Sequence, residues 1–187
     1  MDLLDLDRAA VDRNLELLAT LEPGHYDLPT PCAGWTVRDL VRHLADMAVA
    51  FDAGARLAAP RATVTADLRA SYAAANELVT EAFHAEGFLD REAELPGFGA
   101  YPGRSLVAAH FVDNVVHSWD LNRALGRDAE VPAEFALAAH EIAARYPDTP
   151  AVRGPGAAFA PEVAARADAT PTDRLVALLG RTPDWRP

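Results

Sequence analysis

The chain has 187 residues, with 28 acidic side chains against 17 basic ones and a formal net charge of −11. Every basic residue is arginine, so Schiff-base chemistry on a lysine and a P-loop are excluded, and the negative balance argues against a nucleic-acid or anionic-membrane partner. A single cysteine, Cys32, excludes an internal disulfide framework and any multi-cysteine zinc or iron–sulfur site.

No stretch approaches the ~20 apolar residues of a membrane span. The acidic start Met1-Asp2-Leu3-Leu4-Asp5 is unlike a signal peptide. The expectation is one cytoplasmic domain over residues 1–187, large enough to bury a core without staples.

In chain order, the first helix is expected from about Asp2 to Leu21, with Leu4, Val11, Leu15 and Leu18 on one face. Pro23-Gly24 ends it. Thr36, with Asp39 three residues on, reads as the N-cap of a second helix whose stripe is Leu40, Leu44, Met47 and Phe51 and which Pro60 closes. A third helix is expected over Thr65–Ala85. The stretch Gly87–Arg104, with two Pro-Gly pairs, reads as a long connection. Ser105 is the expected cap of a fourth helix reaching Leu125 and stopped by Gly126. A fifth runs from near Pro132 to about Tyr146. An irregular tail follows until Thr172, which caps a short last helix through Leu179. Nothing alternates with period two for long enough to build a sheet. The fold class is all-α: an antiparallel bundle of four long helices with extra short ones.

The fourth helix carries the chemistry. His110, Asp113, His117 and Asp120 occupy relative positions 0, 3, 7 and 10, which at ~3.6 residues per turn form one polar stripe. Leu106, Val112, Val115 and Val116 flank it, so the stripe is not simply a wet face. Asp113 and His117 are an i, i+4 pair able to reach one ion from consecutive turns. His43, at the edge of the second helix's apolar stripe, is the candidate third ligand. Two imidazoles and a carboxylate leave open positions, as a catalytic metal site requires, and suit zinc, nickel, iron(II) or manganese. Against this stand a hydrogen-bonded core role for His43 and a surface salt bridge for Asp113–His117. His110 and Asp120 read as structural, although Asp120 could orient His117. Cys32 reads as part of the Pro-Thr-Pro-Cys-Ala-Gly-Trp turn rather than as a reactive thiol. Trp35 and Trp119 read as core or pocket-wall aromatics.

Three segments together resemble the actinobacterial DinB-like metal-binding family related to the N-terminal domain of mycothiol-dependent maleylpyruvate isomerase. They are Leu28-Pro-Thr-Pro-Cys-Ala-Gly-Trp-Thr-Val-Arg-Asp-Leu-Val-Arg-His43-Leu, Asp113-Asn-Val-Val-His117-Ser-Trp-Asp-Leu-Asn-Arg-Ala-Leu-Gly126, and Asp173-Arg-Leu-Val-Ala-Leu-Leu-Gly-Arg-Thr-Pro-Asp-Trp185. The resemblance implies an up-down four-helix bundle holding one divalent ion, usually zinc, on His43, Asp113 and His117. Where the isomerase has glutamate, this sequence has Asp113, one methylene shorter. The isomerase's C-terminal domain has no counterpart here, which weakens maleylpyruvate isomerisation as the reaction.

The resemblance also implies mycothiol as cosubstrate in an S-transfer, conjugation or isomerisation of a small electrophile; because the acidic surface would not attract an anionic thiol, Arg42 or Arg104 beside the bundle opening are the candidate helpers. Two other readings remain open: a non-catalytic metal or small-molecule binding module, and a partner-binding bundle whose polar stripe is buried in a homodimer.

Overall fold

The computed structural model describes residues 1–154 and 157–187. Helix α1 (Leu3–Ala19) starts where the Asp2 carboxylate accepts from the Asp5 N–H. Pro23-Gly24 does more than stop it: these residues open a 3₁₀ turn over Pro23–Asp27. Helix α2 (Val37–Arg56) has the expected reciprocal cap, Thr36 accepting from Asp39 N and the Asp39 carboxylate accepting from Thr36 N. It ends at Arg56, four residues before Pro60, with left-handed Leu57 as its C-cap. Helix α3 (Leu68–Phe83) is capped by Asp67, not begun at Thr65. The Thr65 hydroxyl instead meets Ser71 Oγ at 3.0 Å.

The connection expected to be irregular contains a hairpin. Strands β1 (Glu92–Leu95) and β2 (Gly99–Pro102) pair antiparallel with Ala93 opposite Tyr101. Four residues per strand are too few for a period-two signal to stand out. Two glycines let the surrounding segments approach the helices. A Cβ on Gly54 of α2 would fall 2.1 Å from the Glu94 carbonyl oxygen, and one on Gly103 would fall 2.1 Å from that of Phe88.

Helix α4 (Gly103–Ala124) therefore begins two residues before Ser105, which is not its cap. Helix α5 (Ala133–Ala143) stops three residues short of Tyr146. The expected irregular tail includes residues 155–156, which lie outside the described residues. Helix α6 (Pro171–Leu178) is capped by Thr170, with Pro171 in the first turn. Thr172, expected as the cap, is buried and accepts from Val131 N, which ties α6 to the approach to α5.

The architecture is an all-α bundle in which α1 packs on α4 and α2 packs on both α3 and α4. Sixteen of the 22 residues of α4 are buried, so it has no single wet face and supplies side chains to all three apolar clusters of the core. That position explains how α4 can carry a polar stripe indoors: its polar residues must find partners on neighbouring helices or face an internal space. No helix among the described residues is long and apolar enough to cross a membrane.

Candidate metal centre

The four stripe residues part company by what faces them. His110 is 2% exposed and closed off. Its Nδ1 meets Asp7 Oδ1 of α1 at 2.7 Å, and Asn114 Nδ2 donates to its Nε2 at 3.2 Å. Tyr72 Oη donates to Asn114 Oδ1 at 2.6 Å, while Asn14 donates to the Asn114 carbonyl oxygen at 3.0 Å. Both ring nitrogens of His110 are thus engaged by protein, and the edges of Phe51 and Phe83 close the space around it. The structural reading of His110 holds.

Two turns on, His117 faces α2. Its ring lies 4.9 Å from that of His43, which in turn lies 5.0 Å from the Trp35 indole. Asp113 Oδ1 stands 3.3 Å from His117 Nε2 and 3.5 Å from His43 Nε2. The donor atoms of all three residues lie within 4.8 Å of one another. Four ligands around an ion at ~2.1 Å would be spaced by about 3.4 Å, so these two separations suit a shared divalent ion better than short hydrogen bonds. The candidate residues from distant parts of the chain are therefore brought together on two facing helices.

The second nitrogen of His117 is held. His117 Nδ1 donates to Asp120 Oδ2 at 2.8 Å, which orients the ring so that Nε2 faces Asp113 and His43. Asp120 is fully buried and receives Arg181 Nη2 at 3.0 Å. Burial by itself would raise the Asp120 carboxyl; the Arg181 guanidinium and the His117 hydrogen bond outweigh it and bring it down to about 2. Cys32 Sγ joins this group, 3.4 Å from Asp120 Oδ2 and 3.5 Å from Arg181 Nη2. Cys32, His117 and Asp120 thus form a second cluster with metal-ligand spacing, sharing His117 with the first through its other nitrogen. There the Arg181 guanidinium already sits as the cation.

Electrostatics at the first cluster follow from its geometry. Burial disfavours charge on His117, but the Asp113 carboxylate, with help from Asp120 and Cys32, raises its pKa well above the ordinary imidazole value. Asp113 is driven the other way, far below the usual carboxylate range: His117 and His43 overcome its desolvation.

This cluster opens into a cavity of about 1380 Å³, bounded by α2, α4, the hairpin, α5, Val152, Gly154 and residues 157–161. Trp35 is a wall residue of it, whereas Trp119 belongs to the core. Arg104 also borders the cavity, but its guanidinium is taken by Asp90; Arg42 is exposed and does not border it. Sequence reasoning missed Arg181 and Tyr146. Tyr146 lines the cavity, where burial, and to a lesser degree the Asp113 charge, push its phenol up and keep it protonated.

The profile of the mycothiol maleylpyruvate isomerase N-terminal domain matches residues 8–122. Two uncharacterized proteins of Mycobacterium tuberculosis, MT0763 of strain CDC 1551 and Rv0738 of strain H37Rv, are each 32% identical over 182 residues, 97% of this chain and 99% of theirs. The crystal structure of the mycothiol-dependent maleylpyruvate isomerase superposes with a TM-score of 0.53 at 17% identity, over 65% of this chain and 61% of the isomerase. A histidine-to-alanine mutant of that enzyme gives 0.61 at 15% identity, over 77% and 68%. At that identity the likeness concerns the fold, and the chain spans about three fifths of the first isomerase structure.

Proposed function

The chain belongs to the mycothiol maleylpyruvate isomerase N-terminal domain family, and from that premise we propose that it is a metal-dependent enzyme that uses a low-molecular-weight thiol, mycothiol by analogy with the isomerase, to transfer to or isomerise an electrophile. One divalent ion, zinc by preference for imidazole and carboxylate, is held by His43, Asp113 and His117. The observation that carries the reading is the convergence of these three donors, from two helices, on the floor of a cavity large enough for organic ligands.

A bound divalent ion would lower the pKa of a thiol or water toward neutrality and so generate a nucleophile. The chain's own groups do the rest. Asp120, anchored by Arg181, holds the His117 ring so that Nε2 would be the nitrogen offered to an ion once its proton is displaced. Asp113 supplies the negative charge that draws a cation between the two imidazoles. The indole of Trp35 packs on His43 and limits its rotation. The Tyr146 phenol, protonated at neutral pH, offers a hydrogen-bond donor within the same cavity.

The choice of this cluster over Cys32, His117 and Asp120 rests on Arg181: a cation at the second cluster would meet a guanidinium already paired with Asp120. The test is the consumption of a model electrophile by metal-loaded protein with and without mycothiol. The reading predicts faster consumption with the thiol and loss of that excess in Asp113→Ala. Equal rates across several electrophiles contradict an enzyme and leave a binding module.

A further inference from the structure

Resting on the reading of the cavity as a substrate site, we propose that its substrate is an uncharged, predominantly apolar molecule rather than a small dicarboxylate. The argument begins with charge. Three arginines border the cavity, and each is already matched: Arg104 by Asp90, Arg145 by Glu141 at 2.6 Å, and Arg181 by Asp120 at 3.0 Å. Among the described residues no guanidinium of the lining stands without a carboxylate.

The divalent ion does not change this balance. Asp113 would cancel one charge of an ion held there, and a thiolate cosubstrate would cancel the other. A dianion would find Arg104 and Arg145 only as exposed, already neutralised pairs that offer little net attraction, and to reach Arg181 it would have to break a buried pair and strand the Asp120 carboxylate.

The walls point the same way. Met47 and Phe51 of α2, Ala109 of α4, Ile142 of α5 and Phe159 present apolar surface to the space above the metal-ligand residues. Ala108 and Ala109 are half-buried, and their small side chains keep the wall of α4 recessed. The volume of about 1380 Å³ exceeds the ~300–1,000 Å³ typical of small-molecule sites. It therefore has room for a thiol cosubstrate and a bulky apolar partner together. The uncharged hydrogen-bonding groups among the lining include the Tyr101, Tyr146 and Ser105 hydroxyls and the Trp35 indole N–H. They suit a substrate with one or two neutral acceptors, such as the carbonyl of an enone.

Fluorescence titration with the neutral apolar dye N-phenyl-1-naphthylamine tests this, with displacement by 2-cyclohexenone, by larger ring-fused enones and by maleate. The dye should bind, the enones should displace it more strongly as their apolar size grows, and maleate should not displace it. Ala109→Phe, which fills the recess, should weaken dye binding by about tenfold with unchanged circular dichroism; Ala108→Phe provides the same test if the first variant does not fold. Displacement by maleate but not by enones overturns the proposal, as does dye binding indifferent to both folded variants. The double variant His43→Ala/His117→Ala separates this inference from the metal assignment. It should lose the ion and keep the dye, whereas metal retained without dye binding in the wild type overturns the substrate class alone.

Discussion

Helix α4 carries two histidines seven residues apart, each beside a carboxylate, and they end in opposite situations. His110 has both nitrogens engaged by Asp7 and Asn114 and aromatic edges around it. His117 has one nitrogen fixed by Asp120, while the other converges with His43 on Asp113 at separations of 3.3 and 3.5 Å, beside open space. Residue type and burial are nearly the same in the two places. What differs is whether the protein saturates the ring. A saturated ring locks two helices; one whose second nitrogen faces a carboxylate and another imidazole beside open space is the candidate ligand.

The largest expected effect lies at the saturated end. Asp7→Ala leaves the His110 ring buried without its partner and should destabilise the fold by about 3 kcal/mol in urea denaturation, with metal content unchanged. At the open end, Asp120→Ala removes the acceptor that orients His117 and strands the Arg181 guanidinium. Metal affinity in competition with a chromogenic chelator should fall by roughly 10–100-fold.

Acidity sharpens the comparison next, because only the open end couples protons to metal. The raised pKa of His117 stabilises the metal-free fold fully below the unfolded imidazole value of about 6.5, and that contribution is lost as pH rises through the folded value. The lowered pKa of Asp113 contributes above about 4 and is lost as pH falls. The metal-free pair is therefore strongest between these limits. An ion must displace the His117 proton, so affinity should drop about tenfold per pH unit on acidification below the raised value, with a proton released on binding by calorimetry. The smallest effect is expected for Asp113→Glu. One added methylene keeps the donor set, and affinity should change by less than about tenfold, as read by the same chelator competition.

Much of this was legible in the sequence. The heptad-like spacing of His110, Asp113, His117 and Asp120 among valines announced an indoor polar stripe, and Thr36 with Asp39 fixed the register that sets His43 on α2. The start of α3 and the caps of α4 and α6 lie two or three residues from their expected places, because several Ser, Thr and Asp side chains are competent to cap and tertiary contacts decide among them. The hairpin escaped because its strands span four residues each. The i, i+4 spacing singled out His117 with Asp113 and left His110 to a structural role, but what engages each ring is set by the facing helices, α1 for one and α2 for the other. Arg181 and Tyr146 lie in stretches without periodic pattern; a lone arginine after a helix-ending glycine gives no sign that it will cross the fold to a buried carboxylate.

Elemental analysis of protein purified without added metal tests the central claim most directly. Wild type and His110→Ala should each carry about one divalent ion per chain, while the double variant His43→Ala/His117→Ala should carry almost none and remain helical. Full metal content in that double variant, or metal lost from Cys32→Ala but kept by His43→Ala, would contradict the assignment of the ion to His43, Asp113 and His117.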